Sequence, residues 1–219
     1  YKRQTWYQLN MNDTRLLWDD NLVPCDMDTK GCDKVCLDVN AKDYSDIENA
    51  VLTGAGKEAD VLFEAGVTNT LLVNADKETN GQTLYINVNG NDKSQSGKII
   101  VNVEDNVTFT IIENFKGESS TEGRVALRTL IDTGLNSKVR LIQVYMQPES
   151  IDVLSDTGCR LSDNASFEIV QVFVGRGSLY DGIRTELIGN NSAFTADIGY
   201  LGAKKQNCLL YTSPSPETD

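Results

Sequence analysis

The sequence predicts a mainly β protein folded as a parallel β-helix, a β-solenoid, with a short and partly helical N-terminal region. The main observation is one strand outline that recurs four times. It occurs at 105–117, 135–147, 163–175 and 190–202. Successive copies lie 30, 28 and 27 residues apart, and the periods also contain a second strand-like stretch. A repeat of this length without a helical linker is typical of stacked coils that bury a continuous core between neighbours.

Columns of matching residues support this stacking. The repeats align on an Asn, which is followed by apolar residues, then by a polar-leaning residue and then by an aromatic ring. The Asn residues are Asn106, Asn136, Asn164 and Asn191; the polar-leaning column is Glu113, Gln143, Gln171 and Ile198; the aromatic column is Phe115, Tyr145, Phe173 and Tyr200. Because alternate columns keep their chemistry, each copy is interpreted as a strand with one fixed face.

Asn is suited to turn each coil, because it tolerates left-handed backbone angles better than most residues. Stacked coils would place equivalent side chains over one another, so the aromatic column would bury a large area. Two strands also carry apolar residues on their second face, which suits strands buried on both sides. These residues are Ile142, Val144, Val170 and Val172. The alternative fold is a β-sandwich whose strands resemble one another by chance.

Residues 5–69 are predicted to be irregular and partly helical, and residues 70–206 to form the β-helix core. Within the first region, 43–66 has a helix start signal in Asp43 or Ser45. The apolar face of this helix would consist of Ile47, Ala50 and Val51. The following GAGK lacks the Gly-to-Lys spacing and the Ser or Thr of a phosphate-binding loop, so no nucleotide site is predicted.

Some stretches are predicted to lie outside the regular coils. The turn-rich segment 89–98, NGNDKSQSGK, is expected to be a mobile loop. The ends, residues 1–4 and 207–219, resemble translated adapter sequence and are interpreted as artefacts. On this interpretation Cys208 carries no function, the natural protein continues past residue 206, and the core is truncated at its C-terminus.

The composition argues against several classes of function. The net charge is −12 over 219 residues, which disfavours nucleic acid, because phosphate binding requires clustered Lys and Arg. No apolar run approaches the ~18 residues of a membrane span. The sequence contains no His, the usual general base and the commonest metal ligand. The absence of His lowers the expectation of an enzyme without excluding carboxylate or cysteine chemistry, so no catalytic residue is predicted, and a cytoplasmic protein with reduced thiols is the favoured interpretation.

The Cys residues do not have the spacing of a typical metal site. Cys25, Cys32 and Cys36 have six and three residues between them, whereas structural zinc sites favour paired C-x-x-C spacing and four ligands. Scattered free thiols are the favoured interpretation and no metal site is predicted, with zinc or cluster binding as the alternative. Cys159, within DTGCRL, is expected to be a buried small hydrophobe.

Two pairs of acids raise a second function, in carbohydrate binding or cleavage by a β-solenoid. Asp152 with Asp156, or Asp181 with Glu186, would have to act as carboxylates about 5–9 Å apart. Solvated strand faces are the simpler interpretation of both pairs, and sugar sites would also require exposed aromatic rings nearby. A cell-surface repeat protein is a third possibility, which a signal segment upstream of residue 5 would favour.

The stretches VRLIQVYMQ (139–147) and DNASFEIVQVFVGRGSLYDGIRTELIGNNSAFTADIGYLG (163–202) resemble the core of the SufB/SufD family of iron–sulfur cluster assembly proteins. The resemblance rests on a strand ending in Gln, an Ala-containing turn before the next strand, a Gly-containing crossing and a strand ending near Gly-Tyr-Leu. It covers roughly residues 60–204, and the N-terminal part looks more like SufD than SufB.

The resemblance implies a right-handed parallel β-helix and a SufD-like, non-enzymatic scaffold subunit of the cytoplasm. It also implies a SufB-type paralogue and a SufC-type ATPase as partners, and an iron–sulfur cluster present only transiently in the assembled complex. The family's cluster-building and ATPase-docking residues lie largely beyond the matched positions, so none is transferred. Soft thiolates would dominate as cluster ligands. Cys159, a thiol within the coils, is therefore hypothesised to lie on a sulfur path.

Overall fold

The computed structural model describes residues 21–37, 44–66, 69–118, 120, 122–201 and 208–213. These residues form a β-solenoid of about five turns with two short helices, which confirms the predicted fold class. The predicted artefact residues 1–4, the end of the predicted tail at 214–219 and the predicted cap Asp43 lie outside the described residues.

The helices are Ser45–Ala50 (α1) and Lys57–Gly66 (α2). Three short strands near the N-terminus are Val23–Pro24 (β1), Met27–Lys30 (β2) and Val35–Leu37 (β3). Thereafter two series of strands alternate along the chain. The first series is Thr70–Ala75 (β4), Ser94–Val103 (β6), Gly123–Thr133 (β8), Ile151–Leu161 (β10), Leu179–Leu187 (β12) and Cys208–Ser213 (β14). The second series is Thr83–Gly90 (β5), Thr108–Gly117 (β7), Lys138–Tyr145 (β9), Ser166–Phe173 (β11) and Ala193–Tyr200 (β13).

Each series forms one sheet, and its consecutive members pair in parallel. Sheet A has the order β14-β12-β10-β8-β6-β4-β3, with β1 also pairing with β6. Sheet B has the order β13-β11-β9-β7-β5-β2. Only β2 with β5 and β3 with β4 pair antiparallel among the described strands, both at the N-terminal edge. Because the repeated strands pair in parallel and each coil passes from one sheet to the other, the alternative of a β-sandwich is wrong.

The predicted columns are in register. Phe115 lies opposite Tyr145, and Tyr145 lies opposite Phe173. Their rings stack, with centroids 4.7 Å apart for the first pair and 4.9 Å for the second and planes within 16° of parallel. Tyr200 continues the column with a tilted ring, its centroid 6.2 Å from Phe173, and is 49% exposed on the last strand of sheet B. Stacked aromatic pairs add stabilisation beyond the area they bury, so this column favours one alignment of the coils.

The Asn residues turn the coils as predicted. Asn106, Asn136, Asn164 and Asn191 have φ between 55° and 62°, and no other non-Gly residue among those described has a positive φ. Their side chains also bond from coil to coil. Asn136 Nδ2 donates to Asn106 Oδ1 at 3.1 Å, and Asn191 Nδ2 donates to Asn164 Oδ1 at 3.2 Å. Each Asn therefore serves both the left-handed turn and the stacking of neighbouring turns.

The helices cover the outer face of sheet A. Val51 and Ile47 pack against Leu130, and Phe63 packs against Ala126 and Leu154. The predicted helical content of 43–66 is confirmed, but the predicted cap is wrong for Ser45. Ser45 is the first helical residue, and the N-cap residue Tyr44 makes no side-chain capping hydrogen bond. Neither described helix is both long and apolar enough to cross a membrane.

The segment between the helices, residues 51–56, is held against sheet A by hydrogen bonds to the carboxylate of Asp156, and we call it the clipped segment. The backbone N–H groups of Gly54 and Ala55 donate to Asp156 Oδ1 at 3.0 and 2.8 Å. Arg128 Nε donates to the other oxygen of Asp156 at 2.8 Å, while its guanidinium lies 4.4 Å from the centre of the Phe63 ring. The GAGK amides thus bind a carboxylate of the protein itself, and Asp156 is fully buried rather than solvated as expected.

Two local expectations are wrong. The segment 89–98 is not a mobile loop, because β5 and β6 occupy all of it except 91–93, and Gln95 bridges the turn by accepting from Asn91 N and donating to Asn89 O. The apolar second faces of β9 and β11 are half-buried rather than buried, because the two described helices pack on sheet A.

The predicted boundary at residue 206 and the interpretation of 207–219 as an artefact stay predictions. The backbone of Cys208–Ser213 nonetheless pairs in parallel with Leu179–Arg184, in the same way as the earlier strands of sheet A pair with one another.

Replacing Asn136 tests the corner geometry. Asn136→Ala should destabilise the fold by about 1 kcal/mol more than Asn136→Gly, since only Gly adopts the left-handed angle without strain. Both variants lose the amide bond to Asn106, so the difference in urea unfolding free energy isolates the backbone contribution. Equal stability of the two variants would contradict the prediction.

Replacing Gly158 tests the close approach of the clipped segment. A Cβ at Gly158 would lie 2.5 Å from the carbonyl oxygen of Leu52, so Gly158→Ala should displace this segment at a cost of about 1–3 kcal/mol. Hydrogen exchange of the Gly54 and Ala55 amides should accelerate. Gly199→Ala is the matched control, because its nearest neighbour would be 3.8 Å away. Similar exchange in both variants would refute the contact.

Candidate functional site in the interior of the coils

The polar-leaning column lies inside the solenoid. Glu113, Gln143 and Gln171 point inward from adjacent strands of sheet B, and none is more than 1% exposed. Their flanking columns are apolar and equally buried. Buried polar groups are costly unless they are hydrogen-bonded, so the partners of this column decide what it does.

A chain of hydrogen bonds runs along this column and crosses to sheet A. Gln143 Nε2 donates to Glu113 Oε2 at 2.8 Å, and Gln171 Nε2 donates to Gln143 Oε1 at 2.7 Å. The same nitrogen of Gln171 donates to Asp181 Oδ2 at 2.8 Å. Two carboxyl groups, one on β7 and one on β12, are thereby joined through two amides.

Hydroxyl groups complete the network from the facing strands. Thr129 Oγ1 donates to Glu113 Oε1 at 2.8 Å. Tyr145 Oη lies 2.8 Å from Ser155 Oγ and 3.1 Å from Asp181 Oδ1. We call the set of Glu113, Thr129, Gln143, Tyr145, Ser155, Gln171 and Asp181 the interior network. It ties both sheets together within the apolar core.

Burial changes the acid–base behaviour of this network. Desolvation raises the pKa of Glu113 to about 7, against the lowering effect of its hydrogen bonds from Gln143 and Thr129. Desolvation likewise raises the pKa of Asp181 to about 6. The pKa of Tyr145 is also raised by burial, and further by the charge of Asp181. The interior network can therefore retain protons near neutral pH.

Two buried oxygens at or near the C-terminal end of the network are left without partners. Gln171 Oε1 and Thr185 Oγ1 are buried and have no hydrogen-bond partner among the described residues. The neighbour of Gln171 on the next strand is Ile198, which offers no side-chain donor. The amide ladder therefore stops at Gln171.

Cys159 lies inside the coils but outside the interior network. It is completely buried on β10, between Ile131 and Thr185 on the neighbouring strands, and belongs to the apolar core. Burial raises the pKa of its thiol, as it does for the buried thiol of Cys25. The expectation of a buried small hydrophobe is confirmed. The chemistry of a thiolate is suppressed at this position.

The candidate acid pairs are not brought together. Asp181 faces the interior, whereas Glu186 accepts a hydrogen bond from Arg184 on the outer face of the same strand. Asp156 is held under the clipped segment, and Asp152 lines a surface cleft at the start of β10. The expectation of solvated carboxylates is wrong for Asp156 and Asp181, which are at most 1% exposed. No group of three or more potential ligands is placed to hold a metal ion in the described part of the chain.

The sequence matches one family model. The model of the SUF system FeS cluster assembly SufBD core domain matches residues 85–213. The matched region runs from β5 to β14 and includes the whole interior network. A search of curated proteins and a search of solved structures each gave no significant match.

Thiol labelling tests the description of the interior. We expect Cys25 and Cys159 to resist alkylation in the folded chain, because burial removes both access and ionisation, while the half-buried Cys32 reacts. Brief treatment with iodoacetamide followed by peptide mass spectrometry measures this, with the urea-unfolded chain as control. Alkylation of native Cys159 as fast as Cys32 would contradict the buried position.

Proposed function

Because the chain belongs to the SufBD core family of the SUF system for iron–sulfur cluster assembly, we propose that it is a non-enzymatic scaffold subunit of such an assembly complex. The observation that carries the proposal is the family match over residues 85–213, more than half of the chain and nearly all of the stacked coils. The cluster is the cargo of this system rather than a resident cofactor of the chain.

The architecture suits a scaffold. Parallel coils that pair strand by strand form a long and rigid surface on which partners can be held. The strongly shifted acids are buried in the core, where the chain itself occupies the surrounding space. Neither Glu113 nor Asp181 is therefore placed where a catalytic acid could reach a substrate.

The finer assignment is a SufD-like subunit that works in the cytoplasm. Its proposed partners are a SufB-type paralogue and a SufC-type ATPase, with no nucleic acid and no membrane involved. The acidic net charge of −12 agrees with a role that does not involve nucleic acid, whereas the absence of His from the sequence is a departure from the family pattern.

A sulfur path through Cys159 is the remaining site hypothesis. The thiol is buried in the apolar core, so a sulfur carrier reaches it only if the coils open in the complex. Cys159→Ala removes the sulfur with little change in volume and is preferable to Ser, which would bury an unpaired hydroxyl.

Co-expression tests the proposal. The tagged chain should co-purify with a SufB-type protein and a SufC-type ATPase, and recovery of neither partner would overturn the scaffold role. Cluster content per purified complex, read from the visible absorption, is then compared between wild type and Cys159→Ala. An unchanged cluster content in intact complex would end the Cys159 hypothesis while leaving the scaffold role in place.

A further inference from the structure

The interior network contains two carboxyl groups but no cation to balance them. Glu113 and Asp181 each receive hydrogen bonds from neutral amides and hydroxyls. Neither carboxyl group makes an ion pair with a Lys or Arg among the described residues. A buried carboxylate without a countercharge is strongly disfavoured and is neutralised by protonation instead.

The groups around each acid add no positive charge. Glu113 has Ile86 on β5 and Gln143 on β9 beside it, and Thr129 on β8 facing it. The ionisable groups that act on it and on Tyr145 are acidic, with Asp181 raising the pKa of both.

Asp181 has a similar environment. Ser155 on β10 lies beside it, Leu210 on β14 is its register partner on the other side, and Gln171 and Tyr145 contact it from sheet B. Asp156, on the opposite face of sheet A, raises the pKa of Asp181 further, and its own charge is paired there with Arg128.

We propose that Glu113 and Asp181 form a proton-retaining pair that acts as a pH-sensitive lock on the coils. With protons bound, the pair closes the interior network and holds β7, β9 and β11 against β8, β10 and β12. With both groups ionised, two negative charges face each other through the amides of Gln143 and Gln171, and the network holds together less strongly. The lock does not depend on the proposed role in cluster assembly.

The sign of the pH dependence follows from the retained protons. The folded chain binds protons at Glu113 up to about pH 7 and at Asp181 up to about pH 6, whereas the unfolded chain releases both near the usual carboxyl values. The stabilisation that these two retained protons give the fold is therefore complete below about pH 4. It is lost as the pH rises through the pKa values of the two acids in the folded chain. The folded-to-unfolded ratio should fall on the order of a thousandfold between about pH 5 and pH 8.

The composition removes the commonest competing titration from the range between about pH 5 and pH 8. The sequence contains no His, so the side chains that ordinarily titrate between pH 5 and 8 are absent. The raised thiol and phenol pKa values of Cys25, Cys159 and Tyr145 lie above this window, and the lowered carboxyl pKa values of Asp28 and Asp76 lie below it.

Neutral isosteres of the two acids test the lock in the full chain. In Glu113→Gln with Asp181→Asn, the new amides can accept from Gln143 and Gln171 and donate to the hydroxyls of Thr129 and Tyr145. The double variant should lose most of the pH dependence of its urea unfolding midpoint between about pH 5 and pH 8. Asp197→Asn, an exposed carboxyl on β13, is the matched control and should keep the wild-type dependence.

An unchanged pH dependence in the double variant would overturn the proposal, as would its loss in the Asp197→Asn control as well. A second measurement covers the case in which the double variant fails to fold. Infrared spectra of the wild-type chain near pH 6 should show the carbonyl band of a protonated carboxylic acid, which should disappear as the pH is raised to about 8.5. Absence of this band near pH 6 in the folded chain would refute the retained proton.

Discussion

The rest of the structure depends on the parallel, in-register pairing of successive coils. Within each strand pair the offset is constant, and length differences fall in the connections between strands. Phe115 pairs with Tyr145 at an offset of 30 residues, whereas Val125 pairs with Val153 at an offset of 28. The two extra residues therefore lie in the connection between β7 and β8. Because the register is kept in this way, like side chains meet along the axis, and the aromatic, apolar and polar columns follow from it.

Much of the coil geometry could be predicted, because it is determined by residues with narrow conformational preferences. The recurring Asn marked the left-handed corners correctly, since few other residues adopt that angle. The aromatic residues nine positions later marked one inward column. The loop expected at 89–98 shows the limit of such signals. Its Gly, Asn and Ser residues suggest a turn, but the side chain of Gln95 caps a much shorter turn and parallel pairing with β8 extends the strand.

The interior network could not be assigned to the inside from the sequence, although its column was visible. A period of two shows which residues share a face, and polar residues are ordinarily placed outside. Glu113 and Gln143 share their face with Phe115 and Tyr145, and this was the available signal that they are buried. Asp156 was missed for another reason. Its partners are backbone amides of a segment about a hundred residues away, which no local pattern reveals.

The buried network also explains why the coils adopt one register rather than another. An entirely apolar interior would tolerate a slip of two residues, since one branched side chain replaces another at little cost. The same slip here would place the carboxyl of Glu113 beside Leu141 or Tyr145 and remove the amide of Gln143 that it needs. The cost of an unsatisfied buried carboxyl group exceeds any improvement in apolar packing that the slip could bring. The polar column therefore specifies the alignment that the aromatic column stabilises, and the two acids that make the fold sensitive to pH are part of that specificity.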